Sequence, residues 1–352
     1  MTLEFTKYKQ VYIAWTTFQR RQVSMAPYCG FELFFLPIKR SAGRINKLLS
    51  YVGNSWKTLQ VLLAKWPDVV WIQLPQVPLM WVALFYRRVC NRRVVIIADC
   101  HNKMFKPPWS KLPCGISLVS SCDLVLVHND DVVKVAIALG IPRDVLKVVE
   151  DPPASIEISG KYKLLNEIPR LNEIPRPWFV FPASFADDEP LRELLEAAAL
   201  VSYVSFIITG DIRNCRELAL VAGAPENVHF IGYLSTHEFN SLIASCDVVV
   251  AFTRFEGIQM SVCGEAVGAG KPMLISDTTT LRRMFPAGSV FVPSDNPSEI
   301  ALGAKQLLAR LPELREAARA QQREILAQWT EQRRQNLMDA VSNSLNEKQK
   351  AD

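Results

Sequence analysis

Twelve short runs of β-branched and aliphatic residues, each separated from the next by a longer helical pattern, restrict this chain to parallel sheets covered on both faces. The runs fall into two sets. Gln10 to Trp15, Phe31 to Pro37, Val69 to Leu74, Val94 to Ala98, Leu124 to His128 and Lys147 to Glu150 form the first. Trp178 to Pro182, Val204 to Thr209, Val228 to Ile231, Val248 to Phe252, Met273 to Ser276 and Ser289 to Val292 form the second. Between the sets the chain is rich in proline and charge and holds a direct repeat, LNEIPR-LNEIPR, from Leu165 to Arg176. A proline in each unit forbids one continuous helix, so this stretch reads as a linker or surface insertion. The pattern predicts an α/β protein of two Rossmann-like domains: residues 1–152, a linker 153–177, a second domain 178–325 and a C-terminal helix 326–352.

The length suits two cores. Hydrophobic residues make up 49% and charged residues 21%, a globular balance, and the net charge of +5 does not point to nucleic acid. An anionic ligand or an anionic membrane surface suits it equally. The eight cysteines show no CxxC pair and no metal-ligand spacing, and they read as buried thiols of a reducing compartment. MTLEFTKYKQ lacks an apolar signal core, and the run Pro78 to Tyr86 is too short to span a bilayer, so a cytoplasmic protein is expected. Trp81, Phe85, Tyr86, Arg87 and Arg88 combine apolar and basic character, for which a buried helix is the simpler account. Near the end, Leu326, Trp329, Leu337, Val341 and Leu345 recur on one helical side. That stripe suits a core contact, a dimer seam or, with Arg323, Arg333 and Arg334 nearby, a membrane-surface helix.

The segment from Thr253 to Asp277, TRFEGIQMSVCGEAVGAGKPMLISD, places Glu265 on a helix opened by Gly257 to Gly264, ended by Gly270 and kept from the following strand by Pro272. A helix start at a cleft attracts phosphate, and a carboxylate one or two turns in can accept hydrogen bonds from sugar hydroxyls. The order Glu, Ala, small residues, Gly-Lys-Pro, apolar strand, Ser-Asp is similar to the donor-site segment of the GT-B glycosyltransferases, particularly the family-4-like enzymes (glycosyl transferases group 1). Those enzymes carry two glutamates, and here one extra residue separates Glu256 from Glu265, so that Gly257 occupies the place of the first.

The resemblance implies a GT-B architecture in which two Rossmann-like domains face each other across a cleft and the last helix crosses back onto the N-terminal domain. It also implies a nucleotide-sugar donor bound by the second domain. Ser184 and Phe185, in the loop after the first strand of that domain, would approach the diphosphate, while Asp187, Asp188 and Glu189 cap the following helix. Gly210 would admit a close backbone approach, and Arg254 is the favoured basic contact, with Arg213 a second candidate. Gly232, Tyr233 and Leu234 would contact the base through backbone and ring.

In the N-terminal domain, ADCHN, Ala98 to Asn102, follows a strand at the expected cleft edge. Asp99 and His101 lie two apart, so in extended backbone they point the same way, and the aspartate would orient the imidazole and raise its basicity. These are the candidate catalytic residues for proton removal from an acceptor hydroxyl. The segment is also similar to the Asp-Trp-His-Asn of the β-mannosyltransferases that extend lipid-linked chitobiose, with Cys100 in place of the tryptophan. His128 ends another strand and ranks second, because Asn129 and Asp130 read as a helix cap. The first loop, Thr16 to Gln22, offers Thr16, Arg20 and Arg21 to an acceptor.

Motifs of rival chemistries are missing: no GxGxxG follows the first strand, and GxxxxGK[ST], GxSxG and HExxH are all absent. The expected activity is transfer of a hexose from a UDP- or GDP-sugar to a glycan or lipid-linked acceptor, with no cofactor and no metal. Two alternatives remain, a nucleotide-sugar epimerase of the same architecture and a non-catalytic nucleotide-sugar-binding protein.

Overall fold

The computed structural model of the protein describes residues 7–38, 44–156 and 168–350. Residues 157–167, which include much of the expected linker and the start of the LNEIPR repeat, lie outside the described residues. The chain forms two compact units, Met1–Pro152 with Ala327–Asp352, and Pro153–Leu326.

In the first unit six strands lie parallel: β1 (Gln10–Ala14), β2 (Glu32–Phe35), β3 (Val69–Leu74), β4 (Val95–Cys100), β5 (Leu124–Val127) and β6 (Leu146–Val148), in the order β2-β1-β3-β4-β5-β6. β1, β3, β4 and β5 are buried along their whole length, which is why they read as unbroken apolar runs. The helices Arg44–Lys65 and Val77–Val89 pack against each other. The C-terminal helix Arg334–Lys350 packs beside Arg20–Cys29, against β4 and β5. Trp329, Leu337, Val341 and Leu345 are buried there, so the stripe belongs to this unit's core and forms neither a dimer seam nor a membrane-surface helix. Arg333 pairs with Glu150 at 2.7 Å and Arg334 Nε donates to the Tyr28 carbonyl at 3.0 Å.

The second unit holds β7 (Trp178–Pro182), β8 (Ser205–Thr209), β9 (Val228–Gly232), β10 (Val248–Ala251), β11 (Met273–Ser276) and β12 (Ser289–Val292), all parallel, in the order β12-β11-β10-β7-β8-β9. This is the doubly wound order, and the winding reverses between β7 and β10. All twelve strands fall within two residues of the sequence expectation at either end. The second copy of the repeat is less of a linker than its composition predicts. Leu171 is fully buried in the second unit's core, Trp178 Nε1 donates to the Ile174 carbonyl at 3.0 Å, and Arg176 stacks on the Trp178 ring at 4.0 Å while pairing with Asp247 at 2.8 Å.

Candidate functional site

In the first unit, Tyr12 of β1, Arg21 and Gln22 of the helix Arg20–Cys29, Asp99 of β4 and the residues His128 and Asp151 after β5 and β6 meet in a buried ionic network. Asp99, near the end of β4, accepts a hydrogen bond from the Tyr12 hydroxyl at 2.7 Å and two from Arg21 Nε at 3.1 and 2.9 Å. Gln22 Nε2 reaches the Tyr12 hydroxyl at 2.8 Å and Asp99 at 3.3 Å. Arg21 also pairs with Asp151, whose Oδ1 lies 3.2 Å from His128 Nδ1. A carboxylate taken out of water requires a counter-charge, and one guanidinium serves both aspartates. Burial opposes ionisation of Asp99 and Asp151, but Arg21 outweighs it, and both stay ionised below the usual carboxylate range.

This arrangement corrects the expected Asp99–His101 pair. The hydrogen bonds of Asp99 go to Arg21, Tyr12 and Gln22, and the aspartate acts on the imidazole only through its field. His101 Nε2 instead lies 3.0 Å from Gln73 Nε2, and its ring centroid is 4.9 Å from that of His128. Burial, reinforced by the facing His128, pushes the imidazole down to about 4, so it is uncharged and a weak base at neutral pH. His128 is better placed than its rank in the sequence implied. Asp151 holds Nδ1, and Nε2 is buried with no hydrogen-bond partner among the described residues. Asn129 does cap the next helix, accepting from Val132 N at 3.0 Å.

Arg21 is likewise corrected. The helix begins at Arg20, its first turn turns Arg21 and Gln22 into the core, and Arg21 is committed to two aspartates rather than to an acceptor. Arg20 lies over the Phe18 ring at 5.3 Å, and Thr16 Oγ1 donates to the Phe18 carbonyl at 3.3 Å.

In the second unit the loops after β7 and β10 flank the switch point. The expected helix caps in the first of these loops do other work. Glu189 folds back, and its carboxylate accepts from Ser184 N at 3.0 Å, Ser184 Oγ at 2.7 Å and Phe185 N at 2.8 Å. Burial nevertheless raises this carboxyl above its usual range. The helix Leu191–Ala199 starts at Pro190 with no side-chain cap. Asp188 accepts from Thr253 Oγ1 at 3.1 Å and Asp187 pairs with Arg216 at 2.8 Å. The Ser184 and Phe185 amides, expected to meet a diphosphate, are therefore occupied by the protein's own carboxylate. Gly210 has φ 125°, and a Cβ there would lie 2.0 Å from the Ala183 carbonyl oxygen, so the glycine serves the close approach of two loops.

Arg254 lines a cavity of about 260 Å³ with Phe185, Glu189, Arg192, Glu193 and Arg216, and its guanidinium donates to both Glu193 oxygens at 2.7 and 2.8 Å. Arg213 is held by Asp211 at 2.7 Å. Glu256 is exposed and accepts from Thr279 N at 3.0 Å, at the start of the helix Thr279–Met284. Gly257, at φ 72°, begins the turn toward the helix Ser261–Gly268. Glu265 lies one turn into that helix and is 7% exposed. Gly268 lets another segment cross closely, since a Cβ there would lie 2.0 Å from the Ala154 oxygen, and Ala154 N donates to the Gly264 carbonyl at 3.1 Å. After β9, the Tyr233 ring is 80% exposed, whereas Leu234 is buried with Ile231, Leu242 and Ile243 and offers only backbone. Among the described residues no three His, Cys, Asp or Glu side chains are grouped to hold a metal ion.

Residues 176–310 match the family model of glycosyl transferases group 1. That match lies within the second unit. No curated protein matches the sequence. Solved structures share the fold over almost the whole chain. HepE of Anabaena, crystallised with UDP and glucose, superposes with a TM-score of 0.71 at 12% identity, covering 95% of this chain and 99% of that one. A glycosyltransferase from Rickettsia africae gives 0.67 at 12% identity over 96% and 98%. UDP-GlcNAc 2-epimerase from Neisseria meningitidis, bound to UDP-GlcNAc, gives 0.61 at 16% identity over 95% and 100%.

Within the second unit, Glu265, Gly257 and Tyr233 follow the carboxyl ends of their strands, while Glu256, Arg254, Ser184 and Phe185 are engaged with neighbouring protein groups. The sequence signal for Glu189 was its spacing from Ser184, the reach of a carboxylate closing its own loop. In the first unit, Asp151 carried no motif at all, since its partners lie 130 and 23 residues away.

Proposed function

We propose that this protein transfers a hexose from a UDP- or GDP-linked donor to a glycan or lipid-linked acceptor. The observation that carries this reading is the buried carboxylate of Glu265, one turn into the helix Ser261–Gly268 and inside the segment that matches the group 1 family. The amides and positive end of that helix favour the donor diphosphate, and Glu265 accepts hydrogen bonds from a sugar or ribose hydroxyl. Glu189 fills the Ser184–Phe185 amides, which leaves the helix start as the anion site of this edge. Arg254 exchanges Glu193 for phosphate when donor binds, and the exposed Tyr233 ring offers a face to the base. Charge on the leaving diphosphate is stabilised by amides and guanidinium, without a metal ion. In the first unit, the uncharged His101 hydrogen-bonds a sugar hydroxyl, and His128, oriented at Nδ1 by Asp151, presents Nε2 to the acceptor. We assign the chemistry to the cytoplasm.

The fold shared with the Neisseria epimerase favours a second reading, isomerisation of the donor without transfer. Incubation with labelled UDP-glucose, UDP-GlcNAc and GDP-mannose, with and without glycan and lipid-linked acceptors, separates the readings. Transfer of label with release of nucleotide diphosphate supports the transferase, and appearance of a sugar isomer on the intact donor replaces it with the epimerase. Binding without turnover on any acceptor leaves a nucleotide-sugar-binding protein.

A further inference from the structure

The helix Arg44–Lys65 carries two apolar stripes, and the first unit uses only one. On the inner side Thr58 and Leu62 are fully buried, Thr58 Oγ1 accepts from Trp15 Nε1 at 3.0 Å, and Asn54 donates to the Leu36 carbonyl at 2.9 Å. On the outer side Ile45, Leu48, Leu49, Val52 and Trp56 recur at three- and four-residue spacing and remain 61–76% exposed. The neighbouring helix Val77–Val89 divides in the same way. Leu79, Met80, Ala83 and Tyr86 are buried, while Trp81 and Phe85 are 42% and 53% exposed, which corrects the reading of that stretch as a wholly buried helix. Between the two helices runs an open apolar groove of about 410 Å³ lined by Val52, Trp56, Leu59, Pro78, Trp81 and Phe85. Contiguous apolar surface on this scale marks an interaction site.

Charge identifies the partner. Neither helix contains an Asp or Glu, and residues 33–122 hold thirteen Lys and Arg against two Asp, of which Asp99 is buried and neutralised by Arg21. Lys57, next to Trp56, and Arg88, which shares a helical side with Trp81 and Phe85, are exposed, as are Lys47, Arg92 and Arg93. A second copy of the same face would set like charges against one another. A bilayer with anionic headgroups accepts both features at once: tryptophan and aliphatic side chains enter the boundary between headgroups and acyl chains, and the cations lie over phosphate. No helix among the described residues is long and apolar enough to cross the membrane, so the contact is with its surface.

We propose that the face formed by the helices Arg44–Lys65 and Val77–Val89 docks on an anionic phospholipid bilayer. The docking is independent of which sugar is transferred and of whether the protein is a transferase. Sedimentation of the full chain with vesicles of phosphatidylcholine alone, or of phosphatidylcholine mixed with phosphatidylglycerol, tests it. The protein pellets with the mixed vesicles, its tryptophan emission shifts to the blue, and high salt releases it. Lys57→Gln and Arg88→Gln each lower partitioning about fivefold, the factor equivalent to roughly 1 kcal/mol per cation at an anionic surface. Leu48→Ser with Trp56→Ser lowers it more than tenfold. Donor binding by thermal shift stays unchanged in all these variants, which keeps a failure of docking distinct from a failure of the transferase reading. Absence of pelleting with either vesicle, unchanged pelleting of the Leu48→Ser/Trp56→Ser protein, or a vesicle-free dimer dissolved by Trp56→Ser would each overturn the proposal, the last by giving the face to a second copy.

Discussion

The two sheets are alike in strand number and direction and opposite in their handling of charge. In the first unit Tyr12, Arg21, Asp99, Asp151 and His128 form one buried network near the ends of the strands. In the second, Arg213, Arg216 and Arg254 sit on carboxylates at the surface, and Glu265 is the buried carboxylate of the helix after β10. A buried charge cannot give up its partner without a large penalty, whereas an exposed pair contributes only ~0–1 kcal/mol and exchanges one anion for another readily. The first network is thus a rigid support that fixes His128. The second is a rim of exchangeable cations, suited to a charged ligand that arrives and leaves.

Removing a partner from the buried network breaks this contrast most directly. Asp99→Ala leaves Arg21 with one counter-charge and is expected to cost about 3–5 kcal/mol, read from urea unfolding. A loss below about 1 kcal/mol would make the network no more committed than the surface rim. In the second unit, Glu265→Gln preserves shape and is expected to lower transfer roughly a hundredfold with an unchanged circular dichroism spectrum, the scale of losing one preorganised polar group. Near-normal turnover in that variant would remove Glu265 from the donor site.

The pH dependence sharpens the comparison from the side of the histidines. In the folded protein His101 titrates at about 4, whereas an unfolded histidine titrates near about 6.5. Between those values the unfolded chain binds more protons, so stability falls as pH drops through the window, and His101→Gln should flatten that slope. An identical slope in the variant would assign the effect to another group. Asp99 and Asp151 have depressed values, so their contribution is present above the ordinary carboxylate range and is lost at lower pH, as they protonate. At the rim, Arg254→Ala should change stability by less than about 1 kcal/mol while raising the donor KM, and a larger stability loss would mark the Glu193 pair as structural. Chelation with EDTA should have the smallest effect of all, leaving turnover unaltered, and a loss restored by added magnesium would overturn the metal-free proposal.

The parallel strands were legible because strands buried on both faces need continuous apolar sequence, and Val69–Leu74, Trp178–Pro182 and Met273–Ser276 ran as read. The helix Arg20–Cys29 was not, because its inward residues include Arg21, Gln22 and Ser24, and periodicity detects only apolar faces. The second LNEIPR copy looked like linker because its proline and charge outweigh two core residues, Leu171 and Ile174, whose partners are distant in the chain. At the candidate site, Glu265 was legible from its helix signals, but the occupation of the Ser184 and Phe185 amides by Glu189 depended on how the loop folds back.

By itself the sequence determined the two sheets, the division near residue 152, and the place of Glu265 on a short helix followed by Gly270 and Pro272. Local pattern is enough for these, because burial on both faces and backbone punctuation act over a few residues. Only the tertiary structure decided the partners of the charged groups: Asp99 with Arg21 instead of His101, His128 with Asp151, Glu256 with the Thr279 amide, and Arg254 with Glu193. Arg21 reaches across 78 residues to Asp99 and 130 to Asp151. Which charges meet at such separations is set by the order of strands in a sheet and by the requirement that every buried ion find its counterpart.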